Sequence, residues 1–328
     1  MHDDVLNIDN LQLSFPIYNG EVSALNHVSL RVKRGEIVGV VGESGSGKSV
    51  TAMLAMRLLP PGSYRINGGS LSVLGQDVLN ASEKQMRQLR GAKVAMIFQE
   101  PMTALNPTRR IGQQMTDVIR QHQPISRKAA IQKAIGLLNE MQISDAARVM
   151  DRYPFELSGG MRQRVVIALA FSCDPALIIA DEPTTALDVT VQRQVLRLLQ
   201  RKARASGTSV LFISHDMAVV SQLCDRLYVM YAGTVIENGA TRDVIAHPVH
   251  PYSIGLLRCA PEEAEPRAPL PAIPGTVPNL ASLPVGCAFR ERCFAADERC
   301  RQQPALTPCG AGEQYAACWH PQLEAEHV

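Results

Sequence analysis

Short, mostly apolar runs alternate with longer stretches of helical periodicity from the start of the chain to about Ala246. Three of the runs predict buried strands, because they are rich in β-branched and aliphatic residues: Glu36–Val41, Leu177–Ala180 and Val210–Ile213. The stretch VTAMLAMRLL behind the first run predicts a helix. Strands and helices that alternate in this way are typical of a layered α/β domain.

A mostly helical block lies between Pro107 and Cys173. Within it, Ile131, Ile135 and Leu138 occupy positions i, i+4 and i+7, and Ser126 precedes them as a candidate N-cap. We therefore expect an amphipathic helix here, in an insertion between two strands.

The last part of the chain differs in composition, since prolines and glycines become frequent beyond Ala246 and cysteines follow. This composition indicates irregular structure. With 328 residues, of which 46% are hydrophobic, the chain is long enough for about two domains. We expect a first domain over residues 1–245, with its helical subdomain at about 104–172, and a second over 246–328.

The charge balance and the apolar content argue against a nucleic-acid binder, an exported protein and an integral membrane protein. Lysine and arginine number 33 against 31 aspartate and glutamate, so the chain lacks the overall basic field that nucleic-acid binders use. The start, MHDDVLNIDN, does not resemble a signal peptide, and no apolar run approaches the roughly 20 residues of a membrane span. The eight cysteines are therefore expected to be reduced and available for metal binding or burial.

The first predicted strand runs directly into GESGSGKS, which fits the phosphate-loop pattern G-x-x-x-x-G-K-[ST] between a strand and a helix. In such a loop, backbone N–H groups wrap the phosphates, Lys48 reaches the β- and γ-phosphates, and Ser49 Oγ ligates Mg²⁺. The alternative is a chance glycine-rich turn, against which both flanks argue. The candidate ATP-binding residues are Gly42, Ser44, Gly45, Ser46, Gly47, Lys48 and Ser49.

Polar residues also follow the other two predicted strands. Asp181 and Glu182 come directly after Leu177–Ala180, where side chains face the ligand crevice of an α/β sheet. Asp181 is suited to hold Mg²⁺ and Glu182 to polarise the attacking water; the alternative is a solvated pair of loop carboxylates. His215 follows Val210–Ile213 and is a candidate γ-phosphate sensor, although a lone histidine is more commonly an ordinary hydrogen-bonded side chain.

The segment Leu157–Arg164, LSGGMRQR, resembles the signature motif LSGGQ of the ATP-binding cassette (ABC) ATPases, with Met161 in place of the commoner Gln. The motifs keep the order of that family: the phosphate loop, Gln99 in IFQEP, the signature, Asp181 and Glu182, the ALD segment Ala186–Asp188, and His215. The resemblance implies an α/β fold, namely an ABC-type P-loop ATPase cassette with a RecA-like core and antiparallel β and helical subdomains. A small irregular cysteine-rich C-terminal domain would follow it.

The resemblance also implies that two cassettes share each ATP. The ATP held by a second cassette would face four residues of this chain: Ser158, Gly159, Gly160 and Asp188. ATP would thereby hold the two cassettes together, and its hydrolysis would let them separate.

Roles for other residues follow from the same resemblance. Ser49, Gln99 and Asp181 would hold Mg²⁺, and Gln99 would also contact the attacking water. Phe15 is the candidate to stack on adenine and Tyr18 the second choice, although both could equally be core aromatics.

Several segments are more specific than the ATP motifs and resemble the ATPases of dipeptide and oligopeptide importers, especially the dipeptide permease type: FQEPMTALNP, LSGGMRQRV, ADEPTTALDVT, MYAGTVIE, and His250-Pro-Tyr252 with IPGTVP. The resemblance implies a peripheral subunit at the cytoplasmic face of the inner membrane. Its partners would be a second homologous ATPase, two transmembrane permeases and an extracytoplasmic substrate-binding protein. Glu100–Pro107 would belong to the coupling surface.

Two other functions stay open at this point. A soluble ABC ATPase acting on nucleic acid or ribosomes is the alternative, although such relatives usually carry two cassettes or a long insertion. A redox sensor whose ATPase activity is secondary is the third.

Importer ATPases of this type end in a pattern like GCPFxxRC…C…C, which Cys287, Cys293, Cys300 and Cys318 match. The family pattern implies a [4Fe–4S] cluster, which four thiolates can hold. Zinc is the alternative, although its usual C-x2–4-C pairs are missing, and cysteines without metal are a further one. Cys309 could substitute for Cys318.

Overall fold

The computed structural model describes residues 3–18, 20–99, 104–184, 187–259, 272–309 and 312–322. The chain divides into two compact units. The first unit comprises Met1–Val5, Val32–Glu36 and Asn80–Ile213, and the second comprises Leu6–Arg31, Ile37–Leu79 and Ser214–Val328. Two predicted features fall partly outside the described residues, namely the coupling segment at residues 100–103 and the ALD segment at Ala186.

Strands and helices are numbered along the chain. The strands are β1 (Asp4–Ile17), β2 (Gly20–Lys33), β3 (Ile37–Val41), β4 (Arg65–Val73), β5 (Gln76–Asp77), β6 (Val94–Ile97), β7 (Leu177–Asp181), β8 (Ser209–Ser214), β9 (Arg226–Tyr231), β10 (Thr234–Ala240), β11 (Thr307–Pro308) and β12 (Tyr315–Ala316). The helices are α1 (Lys48–Ala55), α2 (Glu83–Leu89), α3 (Ile111–His122), α4 (Arg127–Glu140), α5 (Ala146–Val149), α6 (Gly159–Ala170), α7 (Val189–Ser206), α8 (Met217–Leu223), α9 (Thr241–Ala246) and α10 (Pro251–Arg258). Short 3₁₀ helices lie at Pro154–Glu156, Arg290–Arg292 and Glu298–Arg301.

In the first unit, β6, β7 and β8 pair in parallel, with Leu177 opposite Ser209 and Asp181 opposite Ile213. Every residue of β7 and β8 is buried, as expected for parallel strands that are covered on both faces. Between β6 and β7, the described residues form helices and turns. There α4 packs against α3 and α6, and α6 packs against α7 and β6.

The predicted amphipathic helix is α4, and the predicted N-cap is confirmed, since Ser126 Oγ accepts a hydrogen bond from the Ala129 N–H at 3.2 Å. The buried face of the helix consists of Ala130, Ala134, Leu137 and Leu138. Ile131 and Ile135 are only half-buried, which differs from the predicted stripe. Two of the buried positions hold alanine. A pattern of large apolar residues does not detect these positions, because alanine is small.

In the second unit, β3 pairs in parallel with β9, and all five of its residues are buried. An antiparallel hairpin joins β9 to β10, and β12 and then β11 extend the sheet beyond β10. The C-terminal segment thus adds two short strands to the edge of the sheet that carries the phosphate loop. A separate antiparallel sheet has the strand order β2-β1-β4-β5.

The described residues contain no helix that is both long enough and apolar enough to cross a membrane.

Candidate nucleotide-binding site

The phosphate loop connects β3 to α1 in the second unit, as predicted. Its glycines Gly42, Gly45 and Gly47 have φ values of 152°, 80° and 98°, which favour glycine. A Cβ at Gly42 would lie 2.1 Å from Met230 O, and one at Gly47 would lie 2.9 Å from Ala24 O. The loop therefore requires glycine for both its backbone conformation and its close approach to neighbouring strands.

Lys48 is the first residue of α1 and is 5% exposed. Its Nζ donates to Gly42 O at 2.7 Å, to Glu43 O at 2.9 Å and to Ser46 Oγ at 3.3 Å. The ammonium group is thus held over the loop, next to the positive end of the α1 dipole. Ser44 and Gly45 are exposed, whereas Ser46 is buried and Ser49 half-buried.

In the first unit, Asp181 ends β7 and is buried, and Glu182 follows with a left-handed φ of 44°. The Glu182 N–H donates to Ile213 O at 2.9 Å, which holds this uncommon backbone conformation. Gln99 Nε2 donates to Glu182 Oε2 at 3.2 Å. The structure therefore brings together two predicted catalytic side chains that are 83 positions apart in the sequence.

Three other predicted residues lie in the second unit. His215 is exposed and directly follows β8, and the next residue, Asp216, caps α8 by accepting from the Ala218 and Val219 N–H groups. Phe15 is half-buried in β1, whereas Tyr18 is fully exposed just beyond that strand.

The signature segment begins α6 in the first unit. Ser158 is the N-cap of α6, and its Oγ accepts from the Met161 N–H at 3.3 Å. Asp188 likewise caps α7 by accepting from the Val191 N–H at 3.0 Å. Both caps line one open recess of about 430 Å³ with Gly159, Gly160, Met161, Arg164, Leu187 and Val191. Two helix N-termini at one recess form a suitable site for an anion.

Replacing Gly160 with Ala is expected to destabilise the first unit by about 1–3 kcal/mol, because overpacking forces neighbouring side chains to move. A Cβ at Gly160 would lie 2.6 Å from Val191 Cγ1, and valine is stiff at χ1. Urea unfolding would measure the loss as a lowered midpoint. Gly159→Ala is the matched control, since among the residues that the structure describes its Cβ would meet only Leu187 Cδ2, at 3.5 Å. Equal midpoints for the two variants would contradict the expectation.

The four cysteines singled out in the sequence line one small cavity in the C-terminal segment, here called the cysteine cavity: Cys287, Cys293, Cys300 and Cys318. Burial raises the pKa of the Cys287 and Cys293 thiols, and it raises the pKa of the Cys318 thiol to about 11. Cys309 lies instead just after β11, where its N–H donates to Gln314 O.

Asp297, Cys300 and His320 form a second potential ligand group at the same place. One ligand atom from each lies within 4.8 Å of the other two, and His320 Nε2 is 3.0 Å from Asp297 Oδ1. An oxygen and a nitrogen ligand therefore stand beside the thiols, and sequence spacing did not reveal them.

His250 is the other unpredicted member of the cysteine cavity and is 1% exposed. Its Nδ1 accepts from the Tyr252 N–H at 3.0 Å, so the ring proton lies on Nε2. Nε2 is buried and has no hydrogen-bond partner among the described residues. Burial lowers the pKa of His250 to about 3, so the ring is neutral. The His250-Pro-Tyr252 segment was recognised in the sequence, but only as a family feature.

A phosphate loop between strand and helix, an acidic pair at a strand end and a serine-capped glycine segment define an ATP-binding cassette. The fold agrees with solved cassettes. MJ0796, described as a bacterial ABC transporter cassette with a dimeric structure, matches with a TM-score of 0.64 and 25% identity over 72% of this chain and 99% of that one. CbiO1 from Clostridium perfringens matches with a TM-score of 0.64 over 74% of this chain and 91% of that one.

The chain belongs to the ATP-binding proteins of ABC transporters. A family model described as ABC transporter matches residues 25–185, and one described as oligopeptide/dipeptide transporter, C-terminal region, matches residues 236–300. The probable D,D-dipeptide transport ATP-binding protein DdpD of Escherichia coli is 74% identical over the full length of both chains.

More distant relatives extend the same family. The oligopeptide transport protein OppD of Salmonella typhimurium is 45% identical over 98% of this chain and 95% of its own. The dipeptide transport protein DppD of E. coli is 44% identical, with 98% of each chain covered. The predicted membership, the α/β cassette fold and the class of ATP-hydrolysing transport subunit are confirmed. ATP and Mg²⁺ fit that class.

Proposed function

We propose that this chain energises a membrane importer for dipeptides or oligopeptides. The match of residues 236–300 to the C-terminal region of oligopeptide and dipeptide transporters carries the proposal, because it adds a feature of peptide transport to the general cassette match. The relative with 74% identity over its full length is named for D,D-dipeptide transport. A D,D-dipeptide is therefore the first solute to test.

The proposed chemistry is hydrolysis of the γ-phosphate of ATP. Lys48 and the N–H groups of the phosphate loop bind the phosphates, and Ser49, Gln99 and Asp181 hold Mg²⁺. Glu182 polarises the attacking water, and its contact with Gln99 supports a common role for these two side chains. His215 senses the γ-phosphate, and Phe15 stacks on adenine.

In the proposed assembly, a second homologous ATPase completes each ATP site. Ser158, Gly159, Gly160 and Asp188 contact the ATP of that partner, a role that their shared recess supports. Closure and opening of this heterodimer act on two transmembrane permeases at the cytoplasmic face of the inner membrane. An extracytoplasmic binding protein delivers the solute to the permeases.

Purification of the tagged chain from membranes in mild detergent tests the assembly. Two permeases and a second ATPase are expected to purify with it. Vesicles that contain this complex and the binding protein are expected to take up D-alanyl-D-alanine only when ATP is supplied. Retention of the chain on ribosomes or RNA, with none in the membrane fraction, would refute the proposal and favour the soluble alternative.

We include a [4Fe–4S] cluster, held at the cysteine cavity, in the proposal. Four thiols line the cavity, and the buried His250 Nε2 supplies an N–H donor suited to a sulfur acceptor. When bound, the cluster would cross-link distant parts of an irregular segment. It would also supply a redox-active centre. Zinc stays the alternative, which the neighbouring Asp297 and His320 support.

Elemental analysis distinguishes these ligands. Anaerobically purified protein is expected to contain about four irons and four acid-labile sulfides per chain. Cys287→Ser is expected to lose most of this iron, because it removes a thiol of the cysteine cavity. Cys309→Ser is the control and is expected to retain it. One zinc without sulfide would contradict the cluster.

A further inference from the structure

Glu43, the second residue of the phosphate loop, uses all three of its polar groups in hydrogen bonds. Its carbonyl oxygen accepts from Lys48 Nζ at 2.9 Å, within the loop. Its N–H donates to Tyr252 Oη at 2.8 Å, and its carboxylate accepts from both terminal nitrogens of Arg292, at 2.6 Å and 3.0 Å. The partners Tyr252 and Arg292 thus come from beyond the cassette motifs, whereas Lys48 and Ser46, whose N–H also donates to the Glu43 carbonyl oxygen, belong to the loop.

Arg292 is held rigidly enough to act as an anchor. Its side chain is 5% exposed, and its Nε donates to Pro274 O at 2.9 Å. One terminal nitrogen also donates to Tyr231 Oη at 3.2 Å. The bidentate hydrogen bond with Glu43 raises the pKa of the Arg292 guanidinium above its ordinary value, so the group stays charged. A bidentate carboxylate bond of this kind fixes both distance and orientation.

Tyr252 is equally constrained. It is fully buried, and burial raises the pKa of its hydroxyl well above the ordinary value. Its ring packs against Tyr231 and Phe289, with centroid distances of 4.7 Å and 5.3 Å. The hydroxyl therefore stays neutral and in place to accept the Glu43 N–H.

Both anchors adjoin the cysteine cavity. Arg292 directly precedes Cys293, and Tyr252 lies two residues beyond His250; Cys293 and His250 both line the cavity. The Phe289 ring also lines the cavity and lies 5.9 Å from the His250 ring and 5.2 Å from the Tyr231 ring. The segments that build the cysteine cavity are therefore the segments that hold Glu43.

We propose that Arg292 and Tyr252 are positioning residues that set the conformation of the phosphate loop through Glu43. The C-terminal segment is then a functional part of the nucleotide site. The proposal rests on the proposed function, because it assumes that this loop binds ATP. In this proposal each residue acts on the loop through Glu43, whose carbonyl oxygen accepts from Lys48 Nζ, and not through a contact of its own with the nucleotide.

The test measures the dissociation constant of the full chain for a non-hydrolysable ATP analogue with Mg²⁺. Arg292→Gln is expected to weaken binding about 5- to 150-fold, the usual range for coupling between sites. Arg292→Lys is expected to give an intermediate value, because lysine keeps the charge without the bidentate geometry. Tyr252→Phe, which removes only a hydroxyl, is expected to weaken binding about 2- to 10-fold.

A double-mutant cycle separates positioning from general stability. Glu43→Gln combined with Arg292→Gln is expected to weaken binding no more than the worse single variant, because both changes break the same contact. Arg301→Gln is the matched control, since the Arg301 side chain is 68% exposed and pairs only with the exposed Glu298 among the contacts described for it. Its dissociation constant is expected to stay within about twofold of the parent, as for surface changes in general.

Two results would overturn the proposal. One is unchanged nucleotide affinity in Arg292→Gln and Tyr252→Phe, whatever their thermal stability. The other is a double variant whose loss of binding free energy equals the sum of the losses in Glu43→Gln and Arg292→Gln. A parent chain that fails to bind the analogue would instead refute the assignment of the phosphate loop and thereby the proposed function.

Discussion

Replacing Glu182 with Gln is expected to lower the rate of ATP hydrolysis by about 10²- to 10⁴-fold, the usual contribution of a positioned general base. The amide has the shape of the carboxylate, and its carbonyl oxygen can still accept from Gln99 Nε2. What disappears is the negative charge that, in the proposed mechanism, polarises the attacking water. ATP binding should persist, because no phosphate contact is assigned to this side chain.

Hydrolysis by the assembled complex and nucleotide binding by the same preparation provide the measurement. The variant is expected to retain ATP and to accumulate the closed pair of cassettes. Glu140→Gln is the matched control, since Glu140 is half-exposed and pairs with Lys202. Turnover at the parental rate in Glu182→Gln would mean that another group activates the water.

Replacing Lys48 with Ala is expected to weaken ATP binding about 10- to 100-fold, because each hydrogen bond to a charged group contributes about 1.5–3 kcal/mol. Lys48 is buried in the loop, and its hydrogen bonds to Gly42, Glu43 and Ser46 show that the ammonium group is already directed at the loop interior. Hydrolysis should fall further, since the lost charge also stabilises the transition state.

Titration with a fluorescent ATP analogue provides the measurement, and a thermal melt establishes that the variant is folded. Lys33→Ala removes an exposed lysine and is the control for loss of one positive charge. An affinity within twofold of the parent for Lys48→Ala would exclude this side chain from phosphate binding.

Much of the site was predictable because its parts are local. The phosphate loop needs a buried strand, glycines at left-handed positions and a following helix, and all of these lie within Glu36–Ala55. The same applies to the caps of α6 and α7, where Ser158 and Asp188 each bind an N–H three residues ahead. Patterns of this range depend on backbone geometry and side-chain type, which the sequence displays directly.

The α4 helix shows which features a local sequence pattern does not predict. Its N-cap follows from one residue and its neighbours, but the buried face depends on what packs against the helix. Alanines face the neighbouring helices there, and two isoleucines remain half-buried. Hydrophobicity alone ranks those positions the other way, because it contains no information about which neighbour is close.

The sequence by itself determined three of the buried strands, the phosphate loop and the signature segment, and it singled out four of the five cysteines from Cys287 onward. Only the tertiary structure decided what joins the phosphate loop to the C-terminal segment within the second unit. The bonds of Glu43 to Tyr252 and Arg292 span 209 and 249 positions, and the cysteine cavity includes His250. Local backbone preferences act over a few residues, whereas these contacts arise only when packing of the whole unit brings remote segments together.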